Sequence, residues 1–316
     1  MTTPEQAFQR YEDVKARLPE NKSGSTRSEK RAIAVENLGA IEDQFDVFLF
    51  DAFGVLNVGD SVLPEAPPRL ERLQELGKQV YILTNSASFQ KEAHIEKFQK
   101  FGFAIEEGNI VSSREVLLHC LQEKGVFADK NIRKWGIISV CDMSDWPAGS
   151  NYTCFDYADS AGNRAFWEAD AFVFLSSANW TEAFQQELLA HLKENPRPVF
   201  IGNPDIVAPR EDGLSLEPGY FAHQLMDETR APIEFFGKPF GNAFEQAIIR
   251  AKSRQIDLDL SRVLMLGDTL HTDILGGNAA GISTALITNY GTYKGKGLTA
   301  YFEQSGIVPD YVMPTL

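Results

Sequence analysis

The 316 residues carry 30 Lys and Arg against 44 Asp and Glu, a formal net charge of −14. That balance excludes a polyanion binder, because no basic surplus exists to release counterions from nucleic acid or to sit on an anionic membrane. A hydrophobic fraction of 43% in a chain this long excludes bulk disorder and predicts a sizeable core, in about two domains or in one domain with a large insertion.

Residues 1–20 favour helix, and Asn21 to Ser28 is a polar break containing Gly and Ser. A second short helix is expected around Glu29 to Leu38. Residues 1–44 show no chemistry and read as a helical extension, packed on the rest of the chain or on a partner subunit. The first 30 residues lack the apolar run of a signal peptide, and their acids argue against a transit peptide. Val47 to Leu56, the longest apolar stretch, is interrupted by Asp51 and too short for a bilayer. Cys120, Cys141 and Cys154 are widely spaced, which excludes a disulfide framework or a CxxC zinc site and fits a reducing compartment. A cytoplasmic protein is expected.

From Phe45 the pattern changes. Asp46 to Asp51 is a β-branched and aromatic run, a buried strand ending in an acid. Pro67 and Pro68 open a helix with Leu70, Leu73 and Leu76 on one face, stopped by Gly77. Gln79 to Thr84 is a second buried strand, followed by a helix from about Phe89 to Phe101. In the middle, Lys134 to Val140, Ala171 to Leu175 and Pro198 to Ile201 read as strands. Asn179 with Glu182 reads as the N-cap pair of a helix burying Phe184, Leu188, Leu189 and Leu192. The C-terminal third returns to the first rhythm. It has a helix on Phe244, Ala247, Ile248 and Ala251, a strand at Arg262 to Leu266, a short helix at Thr272 to Ala280 and a strand at Ser283 to Ile287. This predicts an α/β fold: a doubly wound parallel-sheet, Rossmann-like core from residues 45–125 and 227–316, with a separate α/β unit inserted over 126–226.

Ligands of open α/β sheets bind beyond the carboxyl ends of the strands. Asp51, Thr84-Asn85-Ser86 and Asp268 stand at such ends, with Asp273 five residues after Asp268 and Lys238 just ahead of a helix. Two or three carboxylates with water suit Mg²⁺, a hard ion that prefers oxygen. A carboxylate is also a nucleophile able to form an aspartyl-phosphate. Hydroxyls and backbone N–H groups take phosphate oxygens, and a lysine neutralises charge.

FDAFGVL, LTNS, GKP and GDTLHTDI stand in the chain in that order, with Lys238 standing 152 positions after Ser86. They resemble the four ordered motifs of the haloacid dehalogenase-like hydrolases. The long gap, with its Asn203-Pro204-Asp205, resembles the cap of the NagD-like, class IIA branch. The resemblance covers residues 45–316. It implies that Asp51 is the nucleophile and a Mg²⁺ ligand, and that Thr84, Asn85 and Ser86 contact phosphate or substrate. It implies that Lys238 stabilises the phospho-aspartate and that Asp268 is a metal ligand. Asp273 would support the metal through water or through Lys238, and Pro204 and Asp205 would face the site from the cap. The implied activity is Mg²⁺-dependent hydrolysis of a small phosphorylated metabolite, possible as a homodimer, with no nucleic-acid or membrane partner.

One position departs from the pattern. Family phosphatases carry a second Asp two residues after the nucleophile, as general acid and base; here it is Phe53. Its carbonyl can still ligate Mg²⁺, but its side chain transfers no proton, and acid–base catalysis is worth roughly 10²–10⁴-fold. Two other readings therefore stand beside hydrolysis: a phospho-ligand binding protein with little turnover, and a metal-independent dehalogenase-type hydrolase. His271 reads as an exposed first-turn residue, or else as the replacement acid. Gly291 to Gly297 lacks the spacing of a P-loop and the Ser or Thr after its lysine. Trp146, Trp180, Tyr220 and Phe221 read as core.

Overall fold

The computed structural model describes residues 3–20, 31–141, 143–159, 163–210 and 213–316. It opens with α1 (Pro4–Val14), where the Thr3 hydroxyl accepts from Gln6 N at 3.2 Å and the Gln6 side chain accepts from Thr3 N at 3.0 Å. The polar break at 21–28 and residues 29 and 30 lie outside the described residues. The helix expected around Glu29 to Leu38 is not formed: Ile33–Ala34 is a strand, β1. Ile33 N donates to Asp310 O at 2.8 Å and Val35 N to Val312 O at 2.9 Å. A short isolated helix is marginal in water, so this tertiary pairing outweighs local propensity.

The first α/β unit continues with β2 (Val47–Phe50), a small hairpin of β3 (Asn57–Val58) and β4 (Ser61–Val62), α2 (Ala66–Glu75), β5 (Gln79–Thr84), α3 (Lys91–Lys100), β6 (Ile110–Ser112) and α4 (Ser113–Glu123). A second unit runs through β7 (Lys134–Ile138), β8 (Asn151–Cys154), α5 (Arg164–Trp167), β9 (Ala171–Phe174), α6 (Glu182–Glu194) and β10 (Val199–Ile201). It closes with a hairpin of β11 (Val207–Arg210) and β12 (Gly213–Leu216), then α7 (Pro218–Glu228) and β13 (Ile233–Phe235). The chain returns as α8 (Gly241–Arg254), β14 (Val263–Gly267), a π-helical turn Leu270–Ile274, α9 (Leu275–Ala280), β15 (Ser283–Ile287), α10 (Leu298–Ser305) and β16 (Tyr311–Met313).

Seven strands in the order β1-β16-β15-β14-β2-β5-β6 form one parallel sheet, and five in the order β13-β10-β9-β7-β8 form a second. The fold is α/β with an inserted α/β unit. The second sheet reaches beyond residue 226, because β13 pairs with β10, and β1 places residues 33 and 34 in the first sheet. Successive side chains of a strand point to opposite faces. Val47 and Leu49 therefore pack with α4 and α8, and Phe48 and Phe50 with α2 and α3. With both faces covered, β2 is written as an unbroken apolar run.

Two local expectations need correction. Leu76 lies just past the last turn of α2 as its C-cap and is 37% exposed, because the apolar face ends with the helix. Thr181, immediately before α6, is its cap in place of Asn179: its hydroxyl accepts from Phe184 N at 3.3 Å.

Candidate active site

From β2 the chain builds outward through β5 and β6 on one side, and from β14 through β15 and β16 on the other. The two directions part between β2 and β14, the point where an open α/β sheet leaves a crevice at its carboxyl ends. Asp51 directly follows β2 and Asp268 directly follows β14. Asp273 lies in the π-helical turn after β14, and Lys238 in the loop between β13 and α8.

The structure brings these four side chains together. Lys238 Nζ donates to Asp51 Oδ1 at 2.6 Å and lies 2.7 Å from Asp273 Oδ1. The other Asp273 oxygen accepts from Thr269 N at 3.1 Å. Asp268 Oδ1 accepts from the Thr269 hydroxyl at 2.8 Å, and its Oδ2 from Thr292 N at 2.9 Å. Carboxylate oxygens of Asp51, Asp268 and Asp273 lie within 4.8 Å of one another, and all three residues are buried. Two glycines make room for Asp268. A Cβ on Gly54, at φ +78°, would lie 2.7 Å from its Oδ2, and one on Gly291 would lie 1.8 Å from the same atom.

Burial drives the Asp51 carboxyl well above the ordinary carboxylate range; Lys238 opposes the rise, and Asp273 and Asp268 add to it. Burial and then Asp273 bring Asp268 up to about 6. Burial opposes the charge on Lys238, but Asp273 and Asp51 outweigh it and hold the ammonium above its usual range. With all three carboxylates ionised, the one ammonium leaves two negative charges uncompensated. A divalent cation cancels that remainder, and an all-oxygen donor set is what a hard ion such as Mg²⁺ takes. The residues present fit such an ion.

A cleft of about 150 Å³ opens on Asp51 and is also lined by Phe53, Thr84, Ser86, Asp205, Lys238 and Asp268. Asn85 ties its walls together: Nδ2 donates to Asp205 Oδ1 and to Lys238 O, each at 2.8 Å, and Oδ1 accepts from Lys238 N at 2.7 Å. Thr84 Oγ1 accepts from Ser86 N at 3.2 Å. Asp205, from the second unit, is half-buried, and desolvation brings its carboxyl up to about 7.

His271 is not exposed. Its ring is buried, stacked 4.9 Å from Tyr11, with Nε2 2.6 Å from Glu12 Oε1 of α1, and it is not among the residues lining the cleft. The first turn after β14 is covered by α1, 259 residues earlier in the chain, which no local pattern announces. His94 does line the cleft, and burial lowers it to about 4, so it is neutral near pH 7. Thr292 and Gly291 are site residues that sequence reasoning passed over. Their Gly-rich segment is not a phosphate loop; it is the seat of Asp268.

Residues 48–138 match the family described as Haloacid dehalogenase-like hydrolase, and residues 235–316 match HAD-hydrolase-like. The chain is similar to the glycerol-3-phosphate phosphatase of Gallus gallus, 28% identical over 306 residues, or 90% of this chain and 94% of that protein. Phosphoglycolate phosphatase 1A of Arabidopsis thaliana is 26% identical over 269 residues, covering 80% and 71%. The crystal structure of a possible sugar phosphatase from Cytophaga hutchinsonii superposes with a TM-score of 0.75 at 23% identity, covering 90% of this chain and 98% of that one. The matched segments hold Asp51, Lys238, Asp268 and Asp273, and the chain belongs to the haloacid dehalogenase-like hydrolases, in their NagD-like branch.

Proposed function

We propose that the protein is a phosphoric monoester hydrolase that cleaves a small phosphate ester through an aspartyl-phosphate on Asp51. The observation that carries this is the buried Asp51–Lys238–Asp273 chain with Asp268 beside it, all at one sheet crevice. Relatives named for glycerol-3-phosphate and phosphoglycolate support a small substrate. Asp51, Asp268 and the Phe53 carbonyl are the candidate ligands of Mg²⁺, which when bound would neutralise phosphoryl oxygens. Asp273 acts through Lys238, since its oxygens are engaged by Lys238 and Thr269 N.

In this reading an Asp51 carboxylate oxygen attacks phosphorus, and the ester P–O bond breaks with its electron pair on the leaving oxygen. Lys238 holds the other Asp51 oxygen and offsets the charge gathering there. Thr84, Ser86 and nearby backbone N–H groups take the phosphate oxygens. Water then cleaves the acyl phosphate, which restores the carboxylate and frees phosphate. No proton donor stands at Phe53, so leaving groups that depart as stable anions are favoured.

The test measures phosphate release from p-nitrophenyl phosphate and from an alkyl phosphate, with Mg²⁺ and with EDTA. Wild type is expected to act on the aryl ester, in need of metal, and more slowly on the alkyl ester; Asp51→Asn is expected to be inactive. Phe53→Asp should raise alkyl turnover roughly ten-fold or more, out of the 10²–10⁴ that acid–base groups supply. Release unaffected by EDTA overturns the metal reading. Tight vanadate binding with no release from either ester favours the phospho-ligand binding protein instead.

A further inference from the structure

The ring of Phe53 does more than leave a proton donor out. It carries a cation against each of two neighbouring elements. Lys97 Nζ, from α3, lies 4.9 Å from the ring centroid, and Arg210 Cζ, from the end of β11, lies 5.3 Å from it. Both are within the distance at which a ring face attracts a cation. Both also line the cleft that holds Asp51. Among the described residues lining it, Lys97, Arg210 and Lys238 are the ones with cationic side chains, and Lys238 is committed to Asp51 and Asp273.

The two cations are aimed by their other contacts. Arg210 donates from Nε to Ser215 Oγ at 3.0 Å and from one Nη to Glu217 Oε1 at 3.1 Å, which fixes the plane of the guanidinium. Lys97 donates to Gly59 O at 3.3 Å and lies 3.5 Å from Asp60, whose carboxylate is 99% exposed. A pair with so exposed an acid is screened by water, and a ligand anion competes with it readily. Residue 53 is two steps along the chain from Asp51, a reach of at most about 7 Å. Lys97 and Arg210 line the same small cleft as Asp51, so a ligand whose phosphoryl group sits at Asp51 shares that cleft with both cations.

We propose that Phe53, Lys97 and Arg210 form a subsite for a carboxylate on the substrate, so that the preferred ester is a short phosphorylated acid. The inference rests on the phosphatase reading of the same cleft. Arginine's planar fork matches a carboxylate, and the small cleft suits a ligand of few atoms. The aromatic ring in place of the usual acid thus gives the site a charge selector at the end of the substrate away from the phosphate.

Calorimetry with phosphonoacetate and with ethylphosphonate, at fixed free Mg²⁺, tests this without turnover. The two probes share a phosphonate and differ in the carboxylate. Wild type is expected to bind phosphonoacetate at least five-fold more tightly, and in Lys97→Gln/Arg210→Gln the ratio should fall below two-fold because phosphonoacetate weakens. A wild-type ratio below five-fold, or a double-variant ratio of two-fold or more, overturns the subsite. Should the double variant fail to fold, Arg210→Gln alone, on the hairpin, is expected to lower the ratio at least two-fold, and a smaller change overturns the proposal. Wild-type release of phosphate from p-nitrophenyl phosphate is measured in parallel. An intact ratio without release rejects the hydrolase reading alone, and release without the ratio rejects the subsite alone.

Discussion

At the residue scale, the site depends on where small side chains leave room for acids. Asp268 is seated between Gly54 and Gly291 and anchored by Thr292. Gly291→Ala would put a methyl group 1.8 Å from Asp268 Oδ2. The carboxylate must then rotate away from Asp51 or the loop must shift. Mg²⁺ affinity in calorimetry is expected to fall at least ten-fold, and the strain of overpacking to cost about 1–3 kcal/mol of stability. Unchanged affinity in a folded Gly291→Ala protein would remove Asp268 from the metal site. Lys97 and Arg210 also bear on Phe53→Asp. Beside two cations a new carboxyl stays ionised, so its gain as an acid belongs at the low end of the expected range and grows as pH falls.

At the element scale, α1 is the piece whose role the chain order hides. Phe8, Tyr11 and Val14 pack with Ile206 and Val207 of the inserted unit and with Leu270 and Ile274 of the first. The Tyr11 hydroxyl accepts from Ile206 N at 3.0 Å, next to Asp205. Arg10 and Arg17 pair with Asp227 on α7. The helix therefore straps the two units together. Burial works to raise the Asp227 carboxyl, but Arg17 and Arg10 outweigh it and hold it below its usual 3.8. A lowered acid stabilises the fold above its unfolded pKa and loses that contribution as pH falls through its folded value. Asp227→Asn is thus expected to lower the melting temperature at pH 7 and to lower it less at an acid pH below 3.8, where the wild-type contribution is being lost. The pair is partly exposed, so the loss at pH 7 is about 0.5–1 kcal/mol. An equal shift at both pH values would show that the aspartate acts through packing instead.

At the scale of the whole molecule, three gathered carboxylates share the single ammonium of Lys238, and their remaining repulsion is what a divalent cation would relieve. Added Mg²⁺ should raise the melting temperature, by about 2.7 kcal/mol of stability at a concentration 100 times its dissociation constant. EDTA should reverse the rise. Asp268→Asn removes one of the like charges, so the metal-free variant is expected to melt at or above metal-free wild type, and the Mg²⁺ shift to vanish. A variant that keeps the shift would place the ion elsewhere. Among the described residues no helix is long and apolar enough to cross a membrane.

The sequence by itself determined the strands that carry the site. Val47 to Phe50, Gln79 to Thr84 and Val263 to Gly267 are buried on both faces, and burial on both faces is written locally, as continuous apolar runs with polar residues at their ends. Reading those ends located Asp51, Thr84 to Ser86 and Asp268, and with them the α/β class. Only the tertiary structure decided the rest, because the partners are far apart in the chain. Ile33 becomes a strand through Asp310, His271 is buried through Glu12, and Asp268 is held by Thr292. Phe53 shows in sequence only as a missing acid. Its ring acquires two cations because α3 and the β11–β12 hairpin, 113 residues apart at Lys97 and Arg210, fold onto the same cleft.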